Sequence, residues 1–306
     1  MQETRNALSV EVLSVAGESI AVDLDPQSSI FALKGAVANS WGIPTACQTL
    51  MLGTHLTSDE EGVEARGRYQ LVVSLAEVCS HLERGSTFCQ FGALRDLEKL
   101  GSRGGGSAVA AVCARLEVAD RYVTPAAVQA LVQIAPRGDA QAMAAVAARL
   151  EDPGWRVREA AVQAYAQLAP AGDPQAMAVI RVLLKDCDSR VRPTAVQSLV
   201  QIAGRGDREV IASVCTCLRD PAWRVRQAVL QVLEVAAEEG DVRAIEAACT
   251  GLEDVDARVR RMAAQVLGTI AEREDEIVVA SLARRLEDRS LAVRDAAMYA
   301  LSKHGK

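Results

Sequence analysis

The sequence is short of aromatic residues, of histidine and of long apolar runs. Only 3% of its 306 residues are aromatic although 50% are hydrophobic, and Ala, Val and Leu dominate, a composition of closely packed helices. No apolar run approaches the roughly 18 to 20 residues that a bilayer span needs, and the opening MQETRNALSV lacks a basic segment followed by an apolar one. A membrane partner and a secretory leader are therefore not expected, and the expected setting is the cytoplasm, with the nucleus left open. The eight cysteines have no paired metal-ligand spacing, which fits a reducing compartment. No nucleophile–His–acid set, phosphate loop or Cys/His cluster is visible, so no metal or cofactor is expected. Charge of one sign is also missing where a nucleic-acid binder needs it. Residues 84–306 carry 30 basic and 29 acidic side chains, and the excess of acid lies in residues 1–83, with 11 acidic against 4 basic. Nucleic acid is therefore not an expected partner.

What the chain has instead is repetition. DPGWRVREAA starts at Asp152, DCDSRVRPTA at Asp186, DPAWRVRQAV at Asp220, DVDARVRRMA at Asp254 and DRSLAVRDAA at Asp288, each 34 residues after the last, with a worn copy, VADRYVTPAA, from Val118. A fixed period in this range means stacked copies of one supersecondary unit, none able to bury its apolar face alone. Each copy divides into two helices. In the first, Val157, Ala161, Tyr165 and Leu168 recur as Val191, Ala195, Leu199 and Ile202, then as Val225, Val229, Leu233 and Ala236, on one helical face. In the second, Met177, Ile180 and Leu184 recur as Ile211, Val214 and Leu218. The closing position is leucine throughout (Leu116, Leu150, Leu184, Leu218, Leu252, Leu286), and these residues are the expected core. Cys113, Cys215 and Cys249 share one inward position and are expected to be small core residues.

Between the helices stand Gly138-Asp139, Gly172-Asp173, Gly206-Asp207 and Gly240-Asp241, the Gly expected to end one helix in the left-handed conformation and the Asp to cap the next. The two Arg-Gly-Asp strings, at Arg137 and Arg205, are thereby explained without adhesion. Arg156, Arg190, Arg224 and Arg258 form a column at the first turn of successive helices, expected as a solvated salt-bridging edge. Gln129, Gln163, Gln197, Gln231 and Gln265 form an outward polar column.

The unit, an Asp followed six residues later by Arg with Val before it, resembles a HEAT repeat, most closely the short HEAT-like repeats of phycobilisome lyases, over residues 92–306. The resemblance implies an α-solenoid with a ladder of Asp and Arg between neighbouring repeats, the matching pairs being Asp152 with Arg158, Asp186 with Arg192, Asp220 with Arg226, Asp254 with Arg260 and Asp288 with Arg294. The worn copy has Val118 and Thr124 at these places, so its rung is expected to be missing. Two enzymes of this class bear on function. Deoxyhypusine hydroxylase binds two irons through His-Glu pairs, whereas His55, His81 and His304 are followed by Leu, Leu and Gly, excluding that activity. A lyase-type enzyme or chaperone acting on a tetrapyrrole-bearing protein is the alternative. It needs acidic and aromatic pocket residues, and the aromatics of the repeat region amount to little more than Tyr122, Trp155, Tyr165, Trp223 and Tyr299.

Ahead of the repeats the period changes. Leu8, Val10 and Val12, then Ile20, Val22 and Leu24, alternate about a turn at Gly17 and Glu18, and a helix follows with Ile30, Leu33, Val37 and Trp41 on its buried face. The strings EVLSVAGESIAVDLDPQSSIFALK, GIPTACQTLMLG and YQLVVSL resemble ubiquitin and its relatives, implying an α+β β-grasp domain over residues 1–75. The chain runs on through AEVCSHLERG where that family ends in Gly-Gly, so a built-in module is implied. Position by position, the family's partner patch corresponds to Val15, Met51 and Val72; these either bind a ubiquitin-binding domain or lie under the downstream segment. Residues 76–91 are expected to be a linker.

The second helices of such a solenoid line its concave face. The residues there are small and weakly apolar at first (Ala144, Ala148, Ala178, Val182, Ala212, Thr216) and charged toward the C-terminal end (Arg243, Glu246, Thr250). The expected function is a non-catalytic adaptor, holding an extended peptide or helix of a protein partner in this groove and recruiting a second partner through the N-terminal module.

Overall fold

The computed structural model describes residues 8–14, 18–64, 67–117, 120, 122–272 and 275–304. They form two compact units, 1–145 and 146–306. The first opens with a five-stranded sheet in the order β2-β1-β5-β3-β4, made of β1 (Leu8–Ser14), β2 (Ser19–Leu24), β3 (Gln48–Leu52), the two-residue β4 (His55–Leu56) and β5 (Arg68–Val73). β1 and β5 run parallel and the other pairs antiparallel. The alternation in the sequence turns Val10, Val12, Val22, Leu50, Tyr69 and Leu71 to the buried side, where α1 (Ile30–Trp41) contributes Ile30, Leu33 and Val37. Trp41, the fourth member of the expected face, is half-buried. Gly42 ends α1 at φ 67°, its N–H donating to the Ala38 carbonyl at 2.8 Å. A sheet with one helix packed on it agrees loosely with a β-grasp.

Residues 76–91, expected as a linker, are mostly helical. α2 (Ala76–Arg84) buries Val78 and Leu82, one turn apart, and packs on α3 (Thr87–Leu100), α4 (Gly105–Glu117) and the 3₁₀ turn Thr45–Cys47. Two buried residues in nine are too few to declare a period, which is why the helix is hard to see in the sequence. α5 (Val123–Ile134) follows, and α6 (Ala140–Ala147) passes into the second unit. All three phenylalanines of the chain, Phe31, Phe88 and Phe91, are exposed, and the interior is built mainly from aliphatic side chains and Ala, with Tyr69 and Tyr165 among them.

The second unit alternates first helices α7 (Trp155–Leu168), α9 (Val191–Ala203), α11 (Trp223–Ala236), α13 (Ala257–Ile270) and α15 (Leu291–His304) with second helices α8 (Pro174–Leu183), α10 (Arg208–Cys215), α12 (Val242–Gly251) and α14 (Glu276–Arg284). Every residue expected on the inner face of α7, α9 and α11 is buried, and the whole glutamine column is exposed. Among the closing leucines, Leu116, Leu150, Leu184 and Leu252 are buried, but Leu218 is half-buried and Leu286 exposed. In those two copies the helix closes in a 3₁₀ turn, Thr216–Arg219 and Arg285–Glu287, and Cys217 is buried beside Leu218. Cys113 is buried, while Cys215 and Cys249 are half-buried, and burial pushes the Cys215 thiol up to about 11.

The turns behave as their composition requires. Gly138, Gly172, Gly206 and Gly240 have φ of 73° to 81°, and Asp139, Asp173, Asp207 and Asp241 accept backbone N–H bonds of 2.8 to 3.0 Å at the start of the next helix. The glycine N–H also reaches forward: Gly172, Gly206 and Gly240 donate to the Ile202, Ala236 and Ile270 carbonyls of the following copy at 2.7 to 2.8 Å.

At the opposite edge the ladder joins each Arg to the Asp of the next copy and not to the Asp six residues before it. Arg158 forks onto Asp186 with two bonds of 2.8 Å, Arg192 onto Asp220 (2.7 and 2.9 Å), Arg226 onto Asp254 (2.6 and 2.7 Å) and Arg260 onto Asp288 (2.8 Å each). The Asp of the same copy is met through its backbone, since Arg158, Arg192, Arg226, Arg260 and Arg294 donate through Nη1 to the carbonyls of Asp152, Asp186, Asp220, Asp254 and Asp288. Val118 lies outside the described residues; Thr124 is buried, its hydroxyl accepting the Asp120 N–H at 3.2 Å. Because Arg226 and Asp254 are each about nine-tenths buried, Arg226→Ala strands a carboxylate, and its expected cost is about 3 to 5 kcal/mol. Gln231→Ala on the exposed column is expected to stay within about 0.5 kcal/mol. Urea titration of the two variants checks the contrast.

Candidate functional site

Three surfaces carry the residues singled out in the sequence. On the sheet, β3 and β5 pair Thr49 with Val72 and Met51 with Gln70, so Met51 and Val72 are diagonal neighbours on the face turned away from α1, each half-buried. Val15 lies outside the described residues.

The second surface is the outward face of the second helices. Helical spacing buries Ala176 and Ile180 of α8 and leaves Ala178 and Val182 exposed. On α10, Val210, Ile211 and Val214 are buried, Thr216 is exposed and Ala212 half-buried. On α12, Ala244, Ala247 and Ala248 are buried and Arg243, Glu246 and Thr250 exposed. Ala148 is exposed in this unit, and Ala144 is exposed in the first. An ion pair of 3.7 Å between Arg181 and Glu209 ties α8 to α10.

The hydroxyls of this face are spent on their own helices. Thr216 donates to the Ser213 carbonyl at 2.7 Å, Ser213 to Glu209 at 2.7 Å and Thr250 to Glu246 at 3.0 Å. What the face presents is therefore methyl groups and backbone close to the surface, followed by Arg243 and Glu246. Val242 and Ile277, exposed at the starts of α12 and α14, extend its apolar part. They occupy two different repeat positions, filled by Arg208 and Glu276 and by Glu209 and Arg243 in other copies, so neither reads as apolar in the repeat pattern. Gly206, Arg208, Ile211, Glu238, Val242 and Arg243 are among the residues lining a cavity of about 380 Å3.

The third surface is the arginine column. Arg190 and Arg258 are held by Asp188 (2.9 and 2.7 Å) and Asp256 (3.0 and 2.8 Å), as a salt-bridging edge requires. The same two guanidiniums lie 3.8 Å over Trp155 and 3.4 Å over Trp223 of the preceding copy, while Arg156 and Arg224 lie 4.9 and 4.8 Å from the same two rings. This stacking went unread, although its signal was present in the alternation of Trp155 and Trp223 with Ser189 and Ala257. Among the described residues no group of three His, Cys, Asp or Glu is placed to hold a metal, and no helix is long and apolar enough to cross a membrane.

Comparison with known proteins agrees with the architecture. A family model described as HEAT repeats matches residues 165–234, and one described as a HEAT repeat associated with sister chromatid cohesion matches residues 143–164 and 267–298. The crystal structure of YibA from Escherichia coli is similar at a TM-score of 0.56 and 20% identity, over 75% of this chain and 81% of that one, a likeness that shows the fold alone. A search of curated proteins finds no match.

The arginine edge has a measurable acid limit. Hydrogen bonds from Arg258 bring the Asp256 carboxyl down to about 2, and those from Arg190 bring Asp188 well below the carboxylate range. A carboxyl lowered by folding contributes stability that is complete above its unfolded value of about 3.9 and is lost as pH falls through the folded one. Asp256→Asn is expected to lower the urea midpoint at neutral pH and to flatten its fall below about pH 4, so that variant and parent converge near pH 2. Parallel curves across that window would contradict the assignment.

Proposed function

We propose that the protein is a non-catalytic adaptor of the cytoplasm or nucleus, in which the second-helix face of the repeats holds an extended or helical segment of a protein partner and the N-terminal module, ubiquitin-like in its strings, recruits a second protein. HEAT repeats are in general protein-interaction scaffolds. The observation that carries the reading is the run of small side chains, with Ala178, Val182 and Thr216 exposed and Ala212 half-buried, in which the Thr216 hydroxyl is already satisfied by the Ser213 carbonyl. A partner side chain settling there displaces water from methyl groups and backbone without stranding a donor, and Arg243 with Glu246 fixes its direction. In the module, Met51 and Val72 support the patch by sharing the outer sheet face. The proposed domains are 1–75, 76–91 and 92–306, the middle segment a helical bridge. A tetrapyrrole site gains no support from the aromatics, since Tyr165 is buried and Trp155 and Trp223 are stacked by arginine.

A photoreactive residue at Val182 in the full chain is expected to cross-link a protein partner in cells, and Ala178→Arg with Ala212→Arg is expected to abolish that cross-link while helix content by circular dichroism is unchanged, because the space for the partner's side chain is taken. Survival of the cross-link in the double variant would move the site elsewhere. For the module, Met51→Arg is expected to remove the chemical-shift response of the full chain to a ubiquitin-binding domain, and no response in the parent at millimolar partner would leave the patch without a role.

A further inference from the structure

The four full copies of the second unit are not joined alike. Every step has the same two links, the Arg–Asp rung and the glycine N–H bond to the next copy, and two steps carry much more. Between the copies at Asp152 and Asp186, Arg190 stacks on Trp155 while gripped by Asp188, Thr194 donates to Glu159 (3.5 Å), Ser198 to the Val162 carbonyl (3.4 Å), and Arg181 pairs with Glu209 (3.7 Å). Between the copies at Asp220 and Asp254, Arg258 stacks on Trp223 while gripped by Asp256, and Arg285 donates to the Leu252 carbonyl (3.1 Å) and to the Glu253 carboxylate (3.0 and 3.2 Å).

The step between them, from the copy at Asp186 to the copy at Asp220, has Ser189 where a Trp would be needed and Ala222 where the gripping Asp would be. Arg224 consequently lies over its own neighbour Trp223, at 4.8 Å. Beyond the two common links, this step has one long bond, from Arg205 Nη2 to the Ala237 carbonyl at 3.5 Å. It also holds the cavity of about 380 Å3, which Arg208 and Ile211 line from one side and Glu238, Val242 and Arg243 from the other.

We infer that the second unit is built as two cassettes, 152–219 and 220–287, joined at a weak step where α9 and α10 meet α11 and α12. In a stack whose stability is the sum of its copies and of the interfaces between neighbours, the interface with the fewest links is the one that opens first. The step falls between Ala212 on α10 and Arg243 and Glu246 on α12, so its opening changes the angle between the small and the charged half of the second-helix face.

Native-state hydrogen exchange of the full chain at increasing urea reads this directly. Amides of α7 and α9 are expected to fall on one isotherm and those of α11 and α13 on another, the break lying at the Asp186-to-Asp220 step. Moving the missing parts into that step, with Ser189→Trp and Ala222→Asp, is expected to merge the two isotherms. Should that variant fail to fold, Trp223→Ala is expected to split the second isotherm between α11 and α13. A single isotherm in the parent, a break at another step, or isotherms that neither substitution moves would overturn the cassettes.

Discussion

The forked bond from each ladder arginine to the aspartate of the next copy is the constraint on which the repeat array depends. Its guanidinium is spent in full, with Nε and Nη2 on the carboxylate 28 residues ahead and Nη1 on the carbonyl six residues behind. A planar fork accepts a carboxylate in one orientation only, so the bond sets distance and angle between copies together. It is also costly to break, because Arg158 and Arg226 are buried and a lone charge left there has no water to turn to.

With the loop edge held by that fork, the glycine N–H bonds hold the opposite edge, and the aliphatic faces of α7, α9, α11 and α13 close between the two. The second helices then have no freedom of their own. They are capped by Asp173, Asp207 and Asp241 directly after the glycine turns, and their outward faces fall into register because the turns that launch them are identical. The alignment of Ala178, Ala212 and Glu246 into one row is thus a by-product of how the turns are bonded.

Much of this was legible from spacing. A 34-residue period, a Gly-Asp turn and a helical row of Val, Ala and Leu specify the core, the caps and the glutamine column without further information. What spacing conceals is which copy a side chain reaches. Asp and Arg six residues apart suggest a local pair; the resemblance implies a ladder between neighbours, and the structure shows that each carboxylate is taken by the arginine of the previous copy. The exposure of Leu286 is hidden because its letter is that of buried Leu252. The second-helix face was the least legible part, since a hydroxyl that back-bonds to its own helix and one that awaits a partner are written with the same residue.

The alternation of tryptophan copies with aspartate copies bears on how such a chain changes length over generations. Duplicating or losing one copy preserves every rung of the ladder, because each arginine meets the same aspartate in any neighbour. It shifts the phase of the alternation, however, and sets a tryptophan copy before another tryptophan copy, where Gly154 or Ala222 stands in place of the gripping carboxylate. Duplication by two copies disturbs neither. Within 152–287 the array therefore has a bonding unit of 68 residues made of two visible units of 34, the distance from Trp155 to Trp223.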